Sequence, residues 1–438
     1  MTPTSKATPT SKATPTSEAA PTTNSPFRYA PFRYLFSARF VNVVGNGVAP
    51  IALAFAVLDI GGSPLDLGIV VAARSIANVA VLLIGGVIAD RLPRNVVLLG
   101  TSILAALTQG TVAWMVLSGS ASILALAALS VVNGAAAAVA LPASSALIPQ
   151  TVPATALRPA NALLRLGLNG GTMLGAAGGA GLVALVGPGW GLAIDALGFA
   201  IAGPLFMLVR GRPTQKRTEA TSVLHDLRIG WREFASRTWV WVVVLQFALV
   251  NAAFAGGVAV LGPIVADASF GRASWGLVVA AETAGLVVGG LVALRWQPRR
   301  ALFIGVLLTG VCALPIALLA GAPSVPLLAA GFFLGGIALE QFGVAWDQSL
   351  QSHVPADRLA RVYSYDALGS FAAIPLGELL VGPLAAQVGV QAVLFGAAAI
   401  IVLACAGAAL VPAVQRLGTD VDTTHRDVDR EVAPSPAE

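Results

Sequence analysis

Residues 152–187, VPATALRPANALLRLGLNGGTMLGAAGGAGLVALVG, align without a gap on residues 354–389, VPADRLARVYSYDALGSFAAIPLGELLVGPLAAQVG, with twelve identities in 36 positions. The matches include the Val-Pro-Ala starts at 152–154 and 354–356, Leu166-Gly167 with Leu368-Gly369, and Leu174-Gly175 with Leu376-Gly377. A second match joins GGVIADR at 85–91 to GGLVALR at 289–295. Identities kept in order at similar offsets describe a chain built twice from one unit. Each copy passes from a polar start into an apolar run of membrane-spanning length, so the duplicated unit is a bundle of spans.

Working outward, twelve apolar runs of near-spanning length lie at roughly 35–58, 67–89, 96–117, 121–141, 160–186, 190–209, 239–261, 274–294, 301–320, 325–345, 364–387 and 390–411. The composition agrees: of 438 residues, 56% are hydrophobic and 11% charged. A soluble chain carries about 25% charged residues, so this one is an all-α polytopic membrane protein. The longest internal loop, 210–238, divides the spans six and six. Its second part places Leu224, Leu227, Trp231 and Phe234 on one face, as an interfacial helix requires. Residues 1–31 repeat Thr-Pro-Thr-Ser-Lys-Ala and read as a disordered tail, and residues 412–438 as a second. The bundles are then 32–209 and 239–411.

Orientation follows the basic residues. Of 26, Arg39, Arg74 and Arg165 fall inside spans, Arg272 lies alone on the side away from the termini, and 22 lie on the terminal side. Both termini are therefore expected in the cytoplasm, with the protein in the cell membrane.

With span count and orientation in place, GVIADRLPR at 86–94, between spans two and three, resembles the signature loop of the major facilitator superfamily. Pro93 stands where that pattern has glycine. Within the family the chain is similar to twelve-span bacterial drug and metabolite exporters. The residues carrying this likeness are Asp195–Phe199, His225–Phe234 and Gln351–Gly382, together with a glycine-rich stretch in span five in which Ala176 replaces the usual proline. The resemblance implies two pseudo-symmetric six-helix bundles with both termini cytoplasmic. It implies a conformational latch at Gly86, Asp90, Arg91 and Arg94, with the acid facing the start of span eleven. It also implies a cavity lined by spans one, four, seven and ten and flanked by two, five, eight and eleven.

Ionisable residues within spans mark function, because each is costly there unless paired or hydrated. Glu282, Glu340 and Glu378 are the proton-coupling candidates, Glu282 first, since a carboxyl group removed from water holds its proton more readily. The other reading of these acids is a permanent salt bridge, for instance Glu282 with Arg74 or Arg165. Arg74, Arg165, Asn42, Asn46, Asn133, Gln246 and Asn251 are the cavity and substrate candidates, the five amides being equally able to bridge helices. Asp195, in an outward-packed span, reads as structural.

The expected activity is export of a small amphipathic compound by alternating access, coupled to proton antiport. Uptake or uniport of a metabolite, or a non-transporting receptor, are the alternatives on the same fold. The three lysines follow no phosphate-binding loop, and the three histidines are far apart with no metal-ligand spacing, which argues against an ATP-driven pump or an enzyme. No cofactor or metal is expected beyond the proton gradient as energy source. The partners are a small-molecule substrate, protons and the lipid bilayer, not nucleic acid, and the chain is expected to be a monomer.

Overall fold

The structure is a computed structural model, and it describes residues 25–209, 231–296, 298–321 and 324–417. Within these, the side chains of residues 83–91, 154, 158, 356, 357, 360 and 361 lie outside the description. Residues 1–24, 210–230 and 418–438, on which the tails and most of the loop helix were expected, lie outside it too.

The described chain is all-helical, with twelve helices long and apolar enough to cross a membrane. The first bundle holds α1 (Ala30–Asp59), α2 (Pro64–Arg91), α3 (Arg94–Leu117), α4 (Ile123–Thr151), α5 (Leu157–Val186) and α6 (Pro188–Met207). The second holds α7 (Thr238–Ala268), α8 (Arg272–Ala293), α9 (Ala301–Ala320), α10 (Val325–His353), α11 in two pieces (Ala356–Phe371 and Ile374–Val388) and α12 (Val390–Ala409).

Three spans outrun their predicted ends. Helix α4 continues past 141 through Pro142 and Pro149 to Thr151. Proline removes one donor and bends the turn, but in a packed membrane bundle neighbouring helices can satisfy the freed carbonyls. In that last stretch Gln150 Nε2 and Arg94 Nη1 both donate to the Ala146 carbonyl, at 3.3 and 2.8 Å, and the second bond ties the extension to α3. Helix α10 runs to His353 rather than 345, and α7 to Ala268 rather than 261, by way of a π-helical segment at Gly256–Leu261. In α11 the break at 372–373 is set by Pro375, which has no N–H for the Phe371 carbonyl four residues earlier.

The duplication is visible in the packing. Helix α1 packs on α5 and α6, α2 on α4, and α3 on α4 and α6; in the second bundle α7 packs on α11 and α12, α8 on α10, and α9 on α10 and α12. The turns after α5 and α11 match as well. Gly187 and Gly389, paired by the sequence repeat, both take positive φ (92° and 87°), a conformation that glycine adopts without steric cost.

Between bundles, α2 meets α11 and α5 meets α8. These seams are tight on the face away from the termini. A Cβ at Gly382 in α11 would stand 2.7 Å from Leu65 Cα in α2. One at Gly276 in α8 would stand 2.5 Å from the Ala176 carbonyl oxygen in α5 and collide with Ala180. One apolar cluster crosses both bundles on that face, joining Phe55, Leu67 and Leu192 to Leu261, Trp275 and Leu328. Towards the terminal face the apolar core divides. Leu35, Leu98 and Phe206 cluster in the first bundle, and Val243, Trp346 and Leu350 in the second. The molecule is thus closed on one face and cleft on the other.

The closed face carries an ionic clamp. Arg272, at the start of α8, pairs with Asp59 at the end of α1 (Nη2–Oδ1, 2.7 Å) and with Asp267 in α7 (Nε–Oδ1, 2.6 Å). Its guanidinium also lies 4.8 Å from the Phe55 ring centroid. The Asp59 pair joins the bundles. Such partly exposed pairs contribute about 1 kcal/mol, so Arg272→Gln should raise the population open at this face about fivefold. Spin labels at the exposed Ser120 and Gln387 would read the longer distance; an unchanged distribution would show that the clamp contributes nothing.

At the terminal face, residues 231–236 form a helix that docks on α11. Trp231 stacks on Phe234 (centroids 5.8 Å apart) and meets Tyr365 edge-on at 5.7 Å. Glu233 accepts a hydrogen bond from Arg237 and is paired with Arg358. Chiefly through the Arg237 bond, these cations hold its carboxyl below the usual range. The tether is therefore intact at neutral pH and is lost only as pH falls through that lowered value.

Candidate functional site: the cleft between the bundles

The cleft is crossed by a single described ion pair. Arg165 of α5 reaches Glu340 of α10 (Nη1–Oε1, 3.4 Å) with its side chain 70% exposed, so solvent reaches the cleft from the terminal face. The partner of Arg165 is Glu340, not Glu282. Glu282, near the middle of α8, has no hydrogen bond or ion pair among the described residues. Its helix face is the one on which Gly285 and Gly289 pack against α10, and its carboxyl lies within electrostatic reach of Cys312 in α9. It therefore faces into the second bundle, away from α5.

Glu378 is placed differently. It is 3% exposed, in the second piece of α11, and on the seam with α2. Ser75 Oγ of the first bundle donates to its Oε1 at 3.1 Å, while Oε2 has no partner. Arg74, the neighbouring residue of α2, lies within electrostatic reach of both Glu378 and Asp195, with no direct ion pair to either. Asp195 is 1% exposed. It accepts a 2.6 Å hydrogen bond from Gln109 Nε2 and leaves Oδ1 unpartnered. The structural role expected of Asp195 accounts for its bond to α3 but not for its coupling to Arg74.

The amides divide between the bundles. Asn42, Asn46 and Asn133 line one pocket of about 180 Å3 in the first bundle, together with Arg39. Asn46 Nδ2 donates to Asn42 Oδ1 at 2.6 Å, and Asn133 Nδ2, in a side chain 5% exposed, has no partner. Asn251 lines a cavity of about 480 Å3 in the second bundle, where its Nδ2 donates to the Ser370 carbonyl at 2.9 Å, beside the break in α11. Gln246 stands apart, donating to Cys405 Sγ at 3.3 Å. Of the expected latch, the side chains of Gly86, Asp90 and Arg91 lie outside the described residues, and Arg94 bonds to α4 of its own bundle.

The second-bundle cavity also holds residues that sequence reading passed over. Beside the expected Glu340, Asp347 and Asp366 place two further carboxyl groups on its wall among Phe247, Phe342 and Trp346. Asp366 lay inside a predicted span, but only two residues from its edge, where a charge reads as a headgroup contact. Asp347 and Tyr363 fell outside predicted spans because α10 runs on past its apolar run and α11 begins before its own. Among the described residues, no group of three or more His, Cys, Asp or Glu side chains is placed to hold a metal ion.

Comparison with known proteins agrees with this architecture. Residues 35–364 match the family described as Major Facilitator Superfamily. The chain is 27% identical over 366 residues to the multidrug efflux pump Tap of Mycolicibacterium fortuitum, an alignment covering 80% of this chain and 87% of that protein. It is 29% identical over 269 residues to the enterobactin exporter EntS of Shigella boydii, covering 59% of this chain and 62% of the relative. Among solved structures, a bacterial homologue of the human lysosomal transporter Spinster in an inward-facing, unoccupied conformation superposes with a TM-score of 0.72 at 16% identity, covering 94% of this chain and all of that one. The nucleoside transporter NupG superposes with a TM-score of 0.70 at 16% identity, covering 86% of this chain and 98% of its own. At such identities these likenesses speak to the fold.

Proposed function

Because the chain belongs to the major facilitator superfamily, and is on that ground a membrane transporter rather than an enzyme, we propose that it exports a small amphipathic compound from the cytoplasm by proton antiport. Its termini then lie in the cytoplasm, in keeping with the distribution of 22 basic residues on their side. The cleft faces inward, and the compound binds near the midplane between bundles that rock about it. The names of the two exporting relatives support the direction.

The observation that carries the coupling is the position of Glu378. Its carboxyl is buried on the seam, half-satisfied by Ser75 of the opposite bundle, with Arg74 nearby. When α2 and α11 part, that hydrogen bond breaks and the carboxyl meets water. An acid whose surroundings differ between the two states binds its proton with different affinity in each, which is the requirement for coupling. Glu340 is the second candidate, because its ion pair with Arg165 also spans the bundles. Glu282, first on sequence grounds, ranks third because it faces neither seam.

In acidified inside-out vesicles, adding a transported dye should release protons, and Glu378→Gln should cut that release at least tenfold. The same variant should still exchange labelled for unlabelled compound across the membrane, since exchange needs no net proton movement. Release that survives in Glu378→Gln moves the coupling to Glu340 or Glu282. Transport by the wild type without proton release would reject antiport and leave uniport.

A further inference from the structure

We propose that the cavity of the second bundle binds an organic cation carrying aromatic rings, and that Asp366 recognises its charge. This inference rests on the transporter reading and names the class of its cargo. The cavity is lined by α7, α10 and α11 with Leu286 of α8, and its volume of about 480 Å3 lies in the range of small-molecule sites. One wall is an aromatic ladder. Phe247 stacks on Phe342 with centroids 4.9 Å apart, and Phe342 stacks on Trp346 at 6.3 Å with the planes 13° apart.

Facing this ladder, Asp366 is held in one orientation by neutral donors. Trp346 Nε1 donates to Oδ2 at 2.9 Å and Ser370 Oγ to Oδ1 at 3.0 Å. Asp347 likewise accepts from the Tyr363 hydroxyl at 3.0 Å. Among the described residues lining the cavity none is basic, and the one cation that reaches it, Arg165, is paired with Glu340. Two carboxylates, Asp347 and Asp366, therefore have no counter-charge among the described residues of this wall of ring faces. Burying charge in this way is unfavourable until a cation completes it. An ammonium or phosphonium centre would gain a carboxylate and ring faces together, whereas a neutral compound of the same shape would gain only the rings. The pocket of the first bundle has the opposite character, with Arg39 and three amides, so of these two pockets the second suits the cationic end.

The test is binding of tetraphenylphosphonium to the purified, full-length protein, with no gradient present, followed by quenching of tryptophan fluorescence. Triphenylphosphine oxide serves as the neutral comparison. We expect saturable quenching by the cation that disappears in Trp346→Phe, at least tenfold weaker binding in Asp366→Asn, and little binding of the oxide. Asparagine keeps the shape and one acceptor of Asp366. Should that variant elute as aggregate, Asp347→Asn provides the second arm, with an expected loss of several-fold. Equal binding of the oxide, or cation affinity unchanged in the folded variants, would overturn the assignment. Cation binding without proton release in vesicles would reject antiport and leave the cargo class standing; proton release evoked by neutral compounds alone would do the reverse.

Discussion

Leucine at Gly276 should lower transport about a hundredfold while leaving a folded protein in the membrane. At this position the seam between α5 and α8 has no room: the atoms a side chain would meet are the Ala176 carbonyl oxygen and the Ala180 methyl, neither of which can swing aside. Overpacking of this kind costs about 1–3 kcal/mol, and here the cost falls on one state. Parting α5 from α8 relieves it, so the substitution penalises only the conformation closed on this face. A penalty of about 3 kcal/mol on that state shifts the equilibrium by roughly two orders of magnitude. Gly276→Ala should have a smaller effect of the same kind. Flux in vesicles, together with the distance between labels at Ser120 and Gln387, measures both consequences. Wild-type flux with an unchanged distance would mean that the seam is not a moving surface.

The second large effect is expected at Arg74. Arg74→Met would leave Asp195 and Glu378, both almost fully buried, without the cation they share. Arg74 is in direct contact with neither acid, so the loss stays below the ~3 kcal/mol of a broken buried pair. The variant should give less folded protein and at least tenfold less transport per molecule. Adding Asp195→Asn removes one stranded charge and keeps an acceptor for Gln109, so the double variant should recover much of the folded fraction. Thermal unfolding in detergent and flux normalised to folded protein separate stability from turnover. A double variant no better than the single one would show that Arg74 does not serve these acids.

Much of the architecture is legible in the residues. Apolar runs give twelve spans, basic residues give the expected sides, and the match between 152–187 and 354–389 anticipates the paired packing and the twin turns at Gly187 and Gly389. Helix ends are less legible at Pro142 and Pro149, because a proline in a packed membrane helix need not end it, and a contact that holds the extension comes from Arg94 in another helix. The partners of buried charges are hardest to read. Most of these spans are apolar on all sides, so no stripe shows which face turns inward. Glu282 and Glu378 look alike in sequence, each a lone acid in an apolar run. Only the rotation of α8 and α11 turns one into the second bundle and the other onto the seam. Asp366 was hidden for a different reason: it lies at the edge of its apolar run, and the edge of a run is not the edge of the cavity.

The clamp at Arg272 makes the closed face responsive to the salt of the medium it meets. Its three charges sit at the rim of the closed face, partly open to solvent, and act over a few ångströms. Mobile ions shorten electrostatic reach from about 8 Å at physiological strength to about 3 Å at 1 M. A salty medium at that face should therefore loosen it and a dilute one tighten it, with no ligand involved. Ionic strength would be written into the resting ratio of the two conformers, and the Asp59–Arg272 contact would be its dial.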